Sequence, residues 1–182
     1  MRLRLLVLAA LLAAVTAVCS LLAIPNPLLP SVPFTLQVFA VCLTGLLLPP
    51  GWACAAQVVY LGLGVAGMPV FAGGTAGPAV LVSATGGFLW AYPLAAAACA
   101  AVAGTAPGRR AVPWRLGAGA LTAIVVIYAG GLAGLVAFGH AALGLATLLG
   151  LSSFVPWDAA KALLAAVLAV RLRAALLRGA PG

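Results

Sequence analysis

One acidic side chain, Asp158, and one lysine, Lys161, stand three positions apart in a chain of 182 residues. At i and i+3 of a helix a carboxylate and an ammonium share a face and come within reach of an ion pair. Side by side they offer a strong acceptor and a strong donor. The stretch around them is apolar, and ionisable groups within apolar membrane segments are expensive enough that a functional role is the default reading. A purely structural ion pair is the alternative. Asp158 near a helix start is favoured by the helix dipole, whereas a cation such as Lys161 at the same end is not.

The elements that hold this pair follow from composition. Hydrophobic residues make up 66% of the chain and charged residues 5%, where soluble domains carry about a quarter charged. The sequence therefore predicts an all-α integral membrane protein, a single membrane domain over residues 1–182. Its size allows about six helices of about 20 residues each. The net charge of +8 does not point to nucleic acid, because the arginines form no face with interleaved aromatics.

Apolar runs and breakers place the spans. Helix one covers Leu3 to Ile24 and is read as retained rather than cleaved, since its apolar run outlasts a usual signal-peptide core. Pro25, Pro27, Pro30 and Pro33 stop it. Helix two runs from Phe34 to about Leu48, helix three from Trp52 to Gly67, helix four from about Gly86 to Gly104, helix five from about Leu116 to Phe138, and the last from near Pro156 to near Leu177. Between helices three and four lies an apolar loop rich in glycine and proline, 68–85. Such backbone has unpaired N–H and C=O groups and must lie against protein or line a cavity.

The arginines fix the orientation. Arg2 and Arg4, then Arg109, Arg110 and Arg115, then Arg171, Arg173 and Arg178 all fall on one side of a six-span layout, and the opposite connections contain no Arg or Lys. This predicts both termini inside, in the inner (plasma) membrane of the cell. Asp158 and Lys161 then sit at the outer end of the last helix.

Other polar side chains gather on that same outer side: Thr35 and Gln37, Thr75 in the loop, and Ser83 and Thr85 before helix four. Together they outline a concave polar site of the kind that takes a small molecule. Tyr60, Phe71 and Trp157 are the expected apolar walls. His140 reads as a polar loop residue without chemistry. Cys19, Cys42, Cys54 and Cys99 have no metal-like spacing and read as small hydrophobes, so neither metal nor cofactor is expected. An intramembrane hydrolase using Ser83 and His140 is disfavoured, because there is no G-x-S-x-G elbow and no second carboxylate. No phosphate-binding G-x-x-x-x-G-K-[ST] loop is present either, so any ATP-driven step needs a partner.

Four motifs carry a family resemblance: Pro33-Phe34-Thr35-Leu36-Gln37, the run from Tyr60 through Phe71-Ala72-Gly73-Gly74, Thr85-Gly86-Gly87-Phe88, and Pro156-Trp157-Asp158-Ala159-Ala160-Lys161. In this order, over nearly the whole chain, they resemble the BioY family of biotin-specific substrate-binding subunits of energy-coupling factor (ECF) transporters. The resemblance implies a six-helix bundle that takes biotin from outside, with Thr35, Gln37, Tyr60, Phe71, Gly73, Thr85, Trp157, Asp158 and Lys161 around the ligand. It implies partners as well, a membrane coupling subunit and cytoplasmic ATPases. Ala9, Ala13 and Ala17 on helix one resemble the alanine motif by which this class docks its coupling subunit, and small residues every fourth position permit close helix approach. Two positions depart from the family pattern, Ala84 for proline and Phe88 for tyrosine. A transporter subunit of the same architecture for another vitamin, such as thiamine or riboflavin, is the alternative.

Overall fold

The structure is a computed structural model, and it describes residues 2–105 and 112–178. Seven α-helices account for most of the described residues: α1 (Arg2–Leu21), α2 (Gln37–Leu47), α3 (Pro50–Val65), α4 (Gly86–Ala103), α5 (Pro113–Ala137), α6 (Leu145–Ser152) and α7 (Val155–Arg178). Four helical stretches are long and apolar enough to cross a membrane, namely α1, α4, α5 and the α6–α7 run from Thr147 to Ala174. The other two expected spans, α2 and α3, are shorter at 11 and 16 residues. At 1.5 Å per residue they reach only about 16 and 24 Å.

Two local features shorten α2 relative to the expectation from sequence. Phe34–Thr35 (β2) pairs antiparallel with Ala23–Ile24 (β1), Ala23 opposite Thr35 and Ile24 opposite Phe34, so these residues are extended and the helix opens only at Gln37. At the other end Pro49 and Pro50 reverse the chain, with Pro50 beginning α3, where its missing N–H is harmless. The short helix α6 lies in what the sequence suggests is a plain connection. Arg109 and Arg110 lie outside the described residues.

Helix α4 is the hub. Two-thirds of it is buried, against one-third of α1 and of α5. It packs most extensively on α5, and the sequence shows why. Gly87 faces Gly130 and Gly134 of α5 so closely that a Cβ at any of the three would run into the facing helix. Backbone therefore packs on backbone, a device suited to membrane interiors where association depends on close packing. Outward faces carry Leu3, Leu6, Val7 and Leu11 on α1, Leu121 and Val125 on α5, and Leu163, Leu164 and Val167 on α7, all exposed. Apolar outer faces of this extent match a lipid solvent.

Ala9, Ala13 and Ala17 do not form the free docking face expected of them. Ala9 and Ala13 are 7% and 1% exposed and belong to the core, and Ala17 packs against it. The small residues let α1 approach its own neighbours α2 and α3. The exposed alanines of α1 lie one position on, at Ala10 and Ala14.

A buried polar node ties these three helices. Gln57 of α3, fully buried, donates through Nε2 to Thr16 Oγ1 of α1 and Thr44 Oγ1 of α2, both at 3.1 Å. Each threonine passes its own proton to a carbonyl one turn back, Leu12 at 2.9 Å and Ala40 at 2.7 Å. Gln57 Oε1 has no partner among the described residues. Replacing Gln57 removes that orphan acceptor and leaves both threonines satisfied, whereas interhelical hydrogen bonds in membranes contribute only about 0.6–2 kcal/mol. Gln57→Met is therefore expected to leave stability within about 1 kcal/mol of wild type, read as thermal melting in detergent. A collapse of the melting temperature would show that the amide is indispensable.

Candidate small-molecule site

The bundle has two distinct ends. At one, Thr105 donates to the Leu48 carbonyl at 2.7 Å and Arg115 Nε to the Val102 carbonyl at 3.2 Å, joining the loops at the ends of α2 and α4 to the start of α5. At the other end, the α1–α2 connection, the 66–85 loop and the start of α7 converge. There Asn26 Nδ2 donates to Ser153 Oγ at 3.0 Å and the Phe34 and Phe154 rings lie 4.7 Å apart.

A cavity of about 530 Å³, counting its open mouth, lies at this second end. Its polar lining is Thr35, Gln37, Thr85, Tyr92, Tyr128, Asp158 and Lys161. Val32, Pro33, Val38, Ala72, Phe88, Leu89, Ile127 and Phe154 make the apolar remainder.

Helical geometry places the charged pair. Asp158 and Lys161 share one face of α7, continued along the helix by buried Ala162 and Ala165, and Phe154, the residue just before α7, extends that face at i−4 from Asp158. Lys161 Nζ donates to Asp158 Oδ1 at 2.8 Å, with side-chain exposures of 13% and 2%. Tyr128 of α5 donates its hydroxyl to the other carboxylate oxygen, Oδ2, also at 2.8 Å.

Across the cavity Gln37 anchors a second cluster. Its Oε1 accepts from Thr35 Oγ1 at 2.9 Å and from Tyr92 Oη at 3.2 Å, while its Nε2 donates to Tyr60 Oη at 2.7 Å. The carbonyl is thus saturated and one amide hydrogen remains for the cavity. Ser83 Oγ donates to the Val80 carbonyl at 2.7 Å, so its contact of 3.1 Å with Thr85 Oγ1 uses the threonine's proton.

Of the residues singled out from sequence, the fold brings Thr35, Gln37, Thr85, Asp158 and Lys161 to one cavity. Four others lie elsewhere. Trp157, one position and about 100° from Asp158 on the helix, points outward and is 62% exposed. Phe71 is fully buried, its ring filling the notch at Gly64 of α3 and meeting Tyr60 edge-on at 5.7 Å. It anchors the loop, and its neighbour Ala72 lines the cavity instead. Tyr60 is fully buried behind Gln37. Gly73 has φ +68°, a left-handed turn position that glycine adopts without strain.

The loop backbone finds its partners inside the protein: Gly77 N donates to the Gly64 carbonyl at 2.8 Å, and Ser20 Oγ reaches the Val70 carbonyl at 2.5 Å. Gly86, beside the Leu81 carbonyl, has no room for a side chain. Ser83 and His140 form no nucleophile and base, because His140 Nε2 is engaged with the Val82 carbonyl at 2.8 Å. Tyr92 and Tyr128 were not singled out from sequence. Their signal is a phenol in the middle of a membrane helix, a polar tip that must find a partner.

A helical membrane bundle with a cavity at one end, apolar but for a few converging polar groups, defines a membrane-embedded solute-binding protein. The comparisons with known proteins narrow this further. The sequence profile described as "BioY family" matches residues 1–178. The "Biotin transporter BioY" of Thermotoga maritima is 36% identical over 142 residues, which is 78% of this chain and 81% of that protein. The "Probable biotin transporter BioY" of Pyrococcus horikoshii is 38% identical over 145 residues, again 78% and 81%. A crystal structure of the S-component for biotin from an ECF-type ABC transporter superposes with a TM-score of 0.83 over 94% of this chain and 92% of that one, at 24% identity, a shared fold. The chain belongs to the BioY family.

Proposed function

We propose that this chain is a biotin-uptake subunit of the plasma membrane, a single membrane domain that captures biotin from the outer side and passes it inward. The observation that carries the ligand assignment is the Asp158–Lys161 pair on the wall of an otherwise apolar cavity. A cyclic urea presents N–H donors and one carbonyl acceptor. Asp158 accepts from an N–H and Lys161 donates to the carbonyl, each charge-assisted bond contributing about 1.5–3 kcal/mol. Phe88, Phe154, Ile127 and Leu89 suit the thioether ring and alkyl chain. The family's relatives carry the name biotin transporter, which supports the same ligand.

We further propose six spans, α1 to α5 and α7, with both termini inside. Arg2 and Arg4 at the start of α1, Arg115 at the start of α5, and Arg171 and Arg173 towards the end of α7 lie at bundle ends that this layout makes cytoplasmic. The short α2 and α3 fit because the extended segment before α2 and the loop after α3 complete their crossing within protein, where irregular backbone is tolerated. With no phosphate-binding loop in its sequence, the chain works with a membrane coupling subunit and ATPase subunits. Ala10 and Ala14 on the exposed face of α1 offer that partner a close approach.

Native mass spectrometry of the purified protein tests the ligand. The expected result is a retained or readily added mass equal to biotin, and failure to bind biotin in either form would sink the assignment. Retention of a different vitamin would support the alternative of the same architecture.

A further inference from the structure

Asp158 is held from two sides, and only one of its holders is charged. Lys161 Nζ takes Oδ1 and the Tyr128 hydroxyl takes Oδ2, each at 2.8 Å. The two holders stand on different helices, α7 and α5, and both line the cavity. An ammonium facing a carboxylate in a poorly solvated cavity gains most by bridging both oxygens, since Coulomb attraction is strong at low dielectric. A bridged pair is closed, with its donors turned onto its own acceptor. The phenol competes with Nζ for Oδ2, and Lys161 stands on Oδ1 alone. Nζ carries three N–H groups, and the described residues give it no second acceptor. Two donors therefore remain for a ligand carbonyl, and each carboxylate oxygen keeps a lone pair for a ligand N–H.

We propose that Tyr128 is a positioning residue that keeps the Asp158–Lys161 pair open, so that both partners stay available to the ligand. This rests on the reading that the pair grips biotin. Because Tyr128 donates to a carboxylate, its bond belongs to the charge-assisted class, and its loss should weaken biotin binding about 10- to 100-fold.

The sole acidic residue makes a direct test available. In full-length protein made by cell-free synthesis with aspartate carrying ¹³C at the side-chain carboxyl, only Asp158 is labelled, so the isotope-shifted carboxylate stretch in the infrared reports one residue. Without ligand, Tyr128→Phe should move that band. By calorimetry in detergent, below its melting temperature, the same variant should bind biotin about 10- to 100-fold more weakly. An unmoved band overturns the proposal, and so does a moved band with wild-type affinity. Should Tyr128→Phe fail to fold, 3-fluorotyrosine at position 128 keeps the ring and strengthens the donor, and the band must then move as well. Wild-type protein that does not bind biotin at all would refute the ligand assignment, while the infrared band would still decide whether Tyr128 holds Asp158.

Discussion

Asp158→Asn and Lys161→Met should each reduce biotin binding by two orders of magnitude or more, and they should differ in what they do to the fold. Each removes one charge-assisted contact to the ligand, about 1.5–3 kcal/mol. Each also leaves the other charge without its partner, and breaking a buried pair from one side costs about 3–5 kcal/mol. The penalty is unequal here. Asp158, 2% exposed, would be stranded by Lys161→Met with only the Tyr128 hydroxyl for company. Lys161, 13% exposed on a long flexible stem, can turn its head toward the cavity mouth after Asp158→Asn. Lys161→Met should therefore lower the melting temperature more than Asp158→Asn does. The double substitution removes both charges and should recover much of that stability, yet bind no biotin. Calorimetric titration and thermal melting of the three variants check this together. If both single variants bind as wild type does, the pair is a structural pin and the proposed grip is wrong.

The second large effect is expected at Gly87, far from any charge. A Cβ there would meet the Gly130 carbonyl, with Gly134 Cα at 2.7 Å and Gly134 N at 2.9 Å. All three are backbone atoms of α5, which have no rotamer to change, so the two helices must separate. Overpacking of a tight interior costs about 1–3 kcal/mol, and Gly87→Val should exceed Gly87→Ala. Because Thr85 immediately precedes α4, α4 carries Phe88 and Tyr92, and α5 carries Ile127 and Tyr128, separation also widens the cavity. Biotin affinity should fall along with the melting temperature. Gly62 is the control, since a Cβ there meets nothing within 4 Å. Gly62→Ala should be neutral or stabilising, by up to about 1 kcal/mol from helix propensity. Equal melting temperatures for Gly87→Ala and Gly62→Ala would refute the contact.

Much of the site was legible because the chain is so poor in polar groups. In a sequence with one acid and one lysine, the pair draws the eye without any alignment, and the i, i+3 spacing already places both on one helix face. Thr35, Gln37 and Thr85 were legible for the same reason, as hydroxyl and amide groups in segments that are otherwise almost wholly apolar. The wall residues were not. Phe71 and Trp157 carry aromatic rings at the right places in the sequence, but the rotation of a helix and the seating of a loop decide which way a ring points. Phe71 fills the space opposite Gly64, and Trp157 lies a third of a turn from Asp158 and faces out. Tyr128 was missed because its partner is 30 residues away on another helix. The alanine stripe of α1 shows the same limit: a spacing of four identifies a face, and only the packing of α1 on α2 and α3 decides that this face is turned inward.

What the sequence determined by itself is the solvent, the helical character, and the chemical identity of the charged pair, because these depend on residue types and on periods of a few residues. Hydropathy and the breakers at Pro33, Pro49, Pro50 and Gly104 act locally, and their effects survive whatever the rest of the chain does. What the tertiary structure alone decided is which of these groups meet. Gly87 against Gly134 sets how near α5 comes to α4, and the packing of α5 on α7 brings the Tyr128 hydroxyl to 2.8 Å from Asp158. Contacts between residues distant in sequence depend on backbone approaches of a few ångströms, which no local spacing encodes. The open carboxylate–ammonium pair is therefore a property of the packed bundle, although both of its charges can be read from a single turn of the chain.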